Sequence, residues 1–271
     1  MKDQQAATSI GRGALILNAD DWGRDAATTD RIFDCARAGA LSSVSAMVFM
    51  QDSERSAAIA REHHIDAGLH LNLTLPFSGP DVPGRLVDEQ ARVADFLQRR
   101  RFSQVIFHPG LKRSFQYVVE AQIGEFARLF GQSPRRVDGH HHMHLCANVL
   151  LGNLLPAGTI ARRNFSFSAG EKSLGNRFYR RFRDRVLARR HILADYFYSL
   201  PPLTPEHRLR RIFALAQHCA VEVETHPIRP DEYRFLAGGE IFQKFAGLII
   251  APNYALRPIA AGQASSLARH A

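Results

Sequence analysis

The run LILNADDWG, residues 15–23, decides the reading of the fold. Leu15, Ile16 and Leu17 form the kind of apolar stretch that a strand buried on both faces requires. It runs into Asn18 and then two adjacent acids, Asp20 and Asp21, before Gly23 ends it. In parallel α/β folds the C-terminal ends of the strands carry the active site, so an apolar strand finishing in carboxylates points to that architecture. An acid pair at a strand end also serves as a helix N-cap or a solvated turn, and this stretch alone does not separate the two readings.

Outward from this strand the chain alternates. Residues 26–38 read as a helix closed by Gly39, LSSVSAMVFM (41–50) as a strand and residues 52–63 as a second helix. In AGLHLNLTL (67–75), Leu69, Leu71, Leu73 and Leu75 face one way and His70, Asn72 and Thr74 the other. Pro76, Gly79, Pro80, Pro83 and Gly84 make 76–87 a loop, and SQVIFHPG (103–110) reads as a short strand. Phe115, Val118, Val119, Ile123, Phe126 and Phe130 recur at helical spacing. RRVDGHHHMH (135–144) reads as a strand. GTIARRN, ADYFYSL, a helix with Thr204 as N-cap and Pro205 at its first position, and the strand CAVEVETHP (219–227) follow. Strand–helix alternation predicts an α/β fold with seven or eight parallel strands, a distorted (β/α) TIM-like barrel, with an open doubly wound sheet as the alternative. With 271 residues, 45% of them hydrophobic, one domain over 13–255 can bury a sizeable core. Residues 1–12 and 260–271 are expected to be loosely ordered.

No apolar run is long enough to cross a bilayer, and MKDQQAATSIGRG lacks the apolar centre of a secretory signal. Cys35, Cys146 and Cys219 are far apart, which fits free thiols in a cytoplasm. The net charge of +9 concerns anionic partners and not the fold.

Polar residues gather where apolar strands end: Asp20 and Asp21, His70, the cluster at 138–144, and His226. One Asp and two or three His form a common ligand set for a divalent metal, and a second carboxylate beside it can take a proton from water. A lone His70 also fits a hydrogen-bonded structural histidine, and His226 before Pro227 also fits a helix cap. HHHMH is harder to place in a core. As a strand it would put His140, His142 and His144 on one face and His141 on the other.

Four motifs taken together, NADDWG (18–23), GLHLNLT (68–74), VDGHHHMH (137–144) and ETHP (224–227), resemble the YdjC-like carbohydrate deacetylases, the group that includes chitooligosaccharide deacetylase. They stand in the family's order and cover about 14–235. The resemblance implies a distorted (β/α) barrel with one divalent metal ion, magnesium or zinc. It implies Asp21, His70 and His140 as ligands, Asp20 as general base and His226 as general acid. The family often reads Asp-Ser-His where this chain has Asp138-Gly139-His140. His142 is the alternative to His140 as ligand, or else a neighbour of the metal or a substrate contact. Asp138 would hold a histidine in its tautomer.

The expected reaction is removal of an N-acetyl group from an amino sugar, in an oligosaccharide or a lipid-linked glycan, with release of acetate. A phosphoesterase is the alternative, but it would need a second metal or several basic residues to clamp phosphate. A nucleic-acid-binding protein is less favoured, because no recognisable binding module accompanies the charge, so no nucleic-acid partner is expected. Oligomeric state stays open, a homodimer included. RFYRRFRDRVLARR (177–190) carries seven arginines, with Phe178, Phe182 and Val186 every four residues. It reads as a barrel helix with a solvated basic face. It also reads as a surface for an anionic substrate, or for peripheral contact with the inner face of an anionic membrane.

Overall fold

The computed structural model describes residues 13–100, 102–167, 173–254 and 256. The two tails expected to be loose, 1–12 and 260–271, lie outside these residues.

Strands and helices alternate: β1 (Ala14–Trp22), α1 (Ala26–Arg37), β2 (Ser43–Ala46), α2 (Ser53–Glu62), β3 (Ala67–Leu71), α3 (Gly84–Arg99), α4 (Lys112–Phe130), β4 (Arg136–Gly139), α5 (Ala147–Leu151), β5 (Ile160–Ala161), α6 (Leu174–Leu187), β6 (Tyr196–Ser199), α7 (His207–Leu215), β7 (Ala220–Thr225), α8 (Pro230–Ala237) and α9 (Glu240–Lys244). The seven strands form one sheet, ordered β5-β4-β3-β2-β1-β7-β6, and every pairing is parallel. Followed round a ring, this is chain order, with β7 returning to β1. That is barrel order, and it lacks the switch point of a doubly wound sheet. The ring is open between β5 and β6, where one bridge joins Ile160 to Ile192. The fold is the expected α/β class, a distorted TIM-like barrel.

Register sorts the side chains into two layers. Asn18 stands opposite Ser43 and Glu224, Ser45 opposite Gly68, and His70 opposite Asp138. With the two-residue period of a strand, Asn18, Asp20, Ser43, Ser45, His70, Arg136, Asp138, Glu222 and Glu224 therefore share the inner face. All of them are buried. The other face carries Leu15, Leu17, Ala19, Val44, Ala46, Leu69, Leu71, Val137, Val221 and Val223. These pack into two apolar clusters. One includes Val93, Val118 and Phe126 of α3 and α4, and the other Leu209, Ile212 and Phe235 of α7 and α8. Each fully buried Leu or Val contributes about 1.5–3 kcal/mol by leaving water.

Several expectations are corrected. SQVIFHPG is not a strand: it forms 3-10 turns at Ser103–Val105 and Pro109–Leu111, and Ile106 is exposed. The loop expected over 76–87 ends at Pro83, because α3 begins at Gly84. Thr204 is not an N-cap, since α7 starts at His207 after Glu206. β4 stops at Gly139, and His140–Leu145 is a kinked 3-10 segment with left-handed backbone at His141 (φ 53°) and His142 (φ 57°). His140, His142 and His144 therefore do not share a strand face.

Candidate metal and catalytic site

The acid pair is explained by an irregularity in β1. Between Ala19 and Trp22 the strand takes one more residue than β2 takes between Val44 and Ala46, and Asp21 has φ 69°. Successive residues of a regular strand point to opposite faces, whereas an inserted residue re-aims its side chain. Here both carboxylates reach the site. Oδ1 of Asp21 lies 3.0 Å from Nδ1 of His140 and 3.5 Å from Nε2 of His70, while Oδ2 accepts from Nη1 of Arg24 at 2.8 Å.

His70 faces Asp138 directly across β3 and β4, and its Nδ1–H donates to Oδ1 of Asp138 at 2.7 Å. That bond leaves Nε2 for Asp21 or a cation, the arrangement seen in carboxylate–histidine–metal sites. Oδ2 of Asp138 accepts from the Ser45 hydroxyl at 2.6 Å and lies 3.1 Å from Nη2 of Arg162. Beside it, Gly139 packs so closely that a Cβ would come within 2.9 Å of the His144 backbone nitrogen. A side chain at this position would have to displace the His144 backbone.

Arg162, just after β5, is the residue that sequence reasoning missed. It is 1% exposed and donates both arms of its fork to Asp20, at 2.6 and 2.7 Å. Its Nε donates to Glu222 at 2.7 Å, and Nη1 lies 3.4 Å from Glu224. Burial alone would raise Asp20, but the charges of Arg162 and His70 and the Arg162 hydrogen bonds together outweigh it and hold the carboxyl below its usual range. Asp138 follows the same balance, with burial outweighed by Arg162 and His70. Glu224 goes the other way: burial and the charge of Asp20 push it well above the usual range. Glu222 and Glu224 left a sign in the sequence, as acids at period two in an otherwise apolar strand, AVEVET. Arg162 left none.

The other predicted residues fall around this centre. Nε2 of His226 is 4.0 Å from Oδ2 of Asp20, and its backbone N–H donates to Glu232, which is fully buried. His142 turns away from Asp21, with Nε2 3.7 Å from Glu224 and its ring edge-on to Phe165 and Phe197. Burial and the nearby Arg162 push His142 down to about 3. His144 is a core histidine after all, held by Nε2 to the carbonyl of Arg162 at 2.9 Å. Side chains of His140, His226 and His142 are 12, 26 and 31% exposed, so the site opens on their side.

Among the described residues two groups each bring their donor atoms within 4.8 Å of one another: Asp21, His70 and His140, and Asp20, His70 and Asp138. The second shares its carboxylates with the Arg162 guanidinium, which would oppose a cation. The first holds one carboxylate oxygen and two imidazole nitrogens, a donor set that suits a divalent transition metal or magnesium. Charge points the same way. Asp20, Asp21, Asp138, Glu222 and Glu224, all buried, meet three guanidinium groups, those of Arg24, Arg136 and Arg162. The shortfall is met by protons or by a divalent cation. Without a metal, burial would lower His70, but the charge of Asp20 and the bonds to Asp138 and Asp21 push it up to about 10. Burial would raise Asp21, and His140 and His70 hold it well below its usual range.

The family model of the YdjC-like proteins matches residues 14–246. The chain belongs to the YdjC-like family. Relatives include a carbohydrate deacetylase from Danio rerio, 32% identical over 138 residues (50% of this chain, 43% of the relative). A chitooligosaccharide deacetylase from Serratia marcescens is 32% identical over 136 residues (48 and 50%), and a carbohydrate deacetylase from Brevibacillus brevis is 29% identical over 225 residues (80 and 82%). The chain spans about half the length of the first two. A crystal structure of a candidate cellobiose-phosphate cleavage protein from Enterococcus faecalis V583 superposes with TM-score 0.62 at 19% identity, covering 90% of this chain and 98% of that one. It shares the fold of this YdjC-like chain.

Proposed function

We propose that this chain is a divalent-metal-dependent hydrolase that removes the acetyl group from the nitrogen of an amino sugar. The observation that carries the reading is the meeting of Asp21, His70 and His140 within 4.8 Å, with Asp20 and His226 beside them at strand ends. The deacetylase names of the relatives support the same chemistry. Asp21, His70 and His140 would hold the metal, which when bound makes water more acidic and polarises a carbonyl.

The chain's own groups do the rest. Asp20, oriented by the fork of Arg162, takes a proton from the attacking water. His226, part-exposed at the open side, gives a proton to the sugar nitrogen as the C–N bond breaks, so amide and water become acetate and amine. Asp138 keeps the His70 tautomer that turns Nε2 toward Asp21. His142, between Phe165 and Glu224, sits where it can touch the substrate. We place this activity in one domain over 13–255 of a cytoplasmic protein. Cys35, Cys146 and Cys219 are free, and among the described residues no helix is long and apolar enough to cross a membrane. A phosphoesterase is less well supported. Arg162, the most central cation, is spent on carboxylates and is buried away from any phosphate.

The test is acetate release from N-acetylated sugars, offered free, as oligomers and lipid-linked. The expected result is loss of release on chelation and recovery with one equivalent of magnesium or zinc. Full release by protein shown metal-free by elemental analysis would overturn the mechanism.

A further inference from the structure

Helix α6 is turned inside out for a barrel helix. Its N-cap Ser173 accepts from the Asn176 backbone, so the helix is properly started. Its inward line is Arg180, Arg183, Asp184 and Leu187, with Asp184 and Leu187 buried. Asp184 accepts from Arg163 and from Asn164, and Arg183 donates to the Leu145 carbonyl. The outward line is Phe178, Arg181, Phe182, Arg185 and, just past the helix, Arg189. Phe178 is 75% exposed and Phe182 57%. The apolar stripe that would ordinarily pack a helix on its sheet thus faces outward, threaded with guanidinium groups.

We propose that this face of α6 docks on an anionic membrane surface. Two exposed phenyl rings on one helical line lose their contact with water only if something covers them, and among the described residues nothing does. The charge says what covers them. Arg181, Arg185 and Arg189 flank the rings, and the acid of the helix, Asp184, is buried and neutralised. The covering surface is therefore negative and has an apolar layer beneath its charge, which describes phosphate headgroups over acyl chains. Arginine forks suit phosphate, and phenyl rings reach past it.

The inward side of α6 ties this face to the rest of the molecule. Arg180 and Asp184 of the inward line, with Arg181 at its outer edge, line a cavity of about 130 Å³ with Arg163, Phe165 and Tyr196. Phe165 packs edge-on against His142, with ring centroids 4.8 Å apart. Docking would bring this cavity to the bilayer, but the inference rests on the outer face and not on which reaction the site performs.

Sedimentation with vesicles of phosphatidylcholine, with and without phosphatidylglycerol, tests it. The protein is expected to sediment with the anionic vesicles at low salt and to leave them at high salt. Each arginine near the surface is worth about fivefold, so Arg181→Gln, Arg185→Gln and Arg189→Gln together should weaken binding roughly a hundredfold. Phe178→Ser with Phe182→Ser should weaken it while leaving its salt dependence. Both variants lie outside the candidate site and should keep the circular dichroism and metal uptake of the parent, so a failure of docking is separable from a failure of the proposed reaction. Equal retention on neutral and anionic vesicles, or none on either, would overturn the proposal. So would a dimer, seen by light scattering, that the same substitutions abolish, since a second copy would then be the cover. A gel shift with duplex DNA at equal affinity would overturn it too.

Discussion

Leu17 and Asn18 are neighbours on β1, and both are fully buried. Leu17 meets the apolar cluster of α7 and α8. Asn18 faces the barrel interior, where its side chain donates to Asp20 and Ser45 and accepts from Ser43. The same strand thus supports two kinds of interior. Outside, stability comes from non-directional removal of apolar surface from water. Inside, it comes from charge matching, which fails sharply when one member is removed. The outer layer makes the fold, and the inner layer gives up some of that freedom to hold carboxylates in place.

Four measurements would break or sharpen this contrast. The largest effect concerns the two inner acids. Asp20→Asn should keep the metal and lower turnover by about 10²- to 10⁴-fold, the range for a proton-transfer group, whereas Asp21→Asn should lose the metal. Equal metal loss in both would merge the roles that separate partners, Arg162 and the histidines, give them. Next comes Arg162→Met, expected to cost about 3–5 kcal/mol in urea unfolding at neutral pH, because Asp20 and Asp138 stay buried without their counter-charge. Leu17→Ala costs about 2–5 kcal/mol. Acid distinguishes them: the Arg162→Met deficit should shrink as the carboxylates protonate, and the Leu17→Ala deficit should not.

The third is a pH profile of metal-free protein. His70 is raised from 6.5 to about 10, so its contribution to stability is complete below about 6.5 and is lost as pH rises toward about 10. Asp21 is lowered from 3.8, so its contribution is complete above that value and is lost as pH falls through its folded range. Metal-free protein should therefore be most stable in mildly acidic buffer. Metal uptake at neutral pH should release protons, detected by calorimetry in buffers of different ionisation enthalpy. A flat profile with no proton release would remove His70 from the metal group. The smallest effect lies outside the barrel. Asp25 caps α1 by accepting from the Thr28 backbone at 2.8 Å, and Asp25→Ala should cost about 1 kcal/mol in urea unfolding.

The outer layer was the legible one. Leu69 and Leu71 alternating with His70, and the spacing of Phe115, Val118 and Phe126, follow from burial on one side and gave the right elements. α3 escaped because its buried line, Leu86, Gln90, Val93 and Leu97, contains a glutamine, whose amide donates to the Leu75 carbonyl at 2.8 Å. The apolar run at 105–107 looked like a strand because short runs do not reveal whether they are covered. In the site, the motifs led to the residues that meet there but not to the path between them. Left-handed backbone at two successive histidines has no sequence sign, so His142 and His144 were placed on a face they do not occupy. Arg162 is one of 35 Lys and Arg residues in the chain, and burial is what sets it apart.

Arg162 also has a consequence in time. It stands 142 residues from Asp20 and about 60 from Glu222 and Glu224, and it follows the shortest strand, beside the opening in the ring. Contacts this distant in the chain form late, after the cost of closing long loops has been met. While the chain is being made, Asp20 emerges long before its partner exists. Seating Arg162 brings β5, β7 and β1 together and gives Asp20 and Glu222 their counter-charge in one event, so a growing chain can assemble the outer layer piecemeal but acquires its site only when the ring has come round.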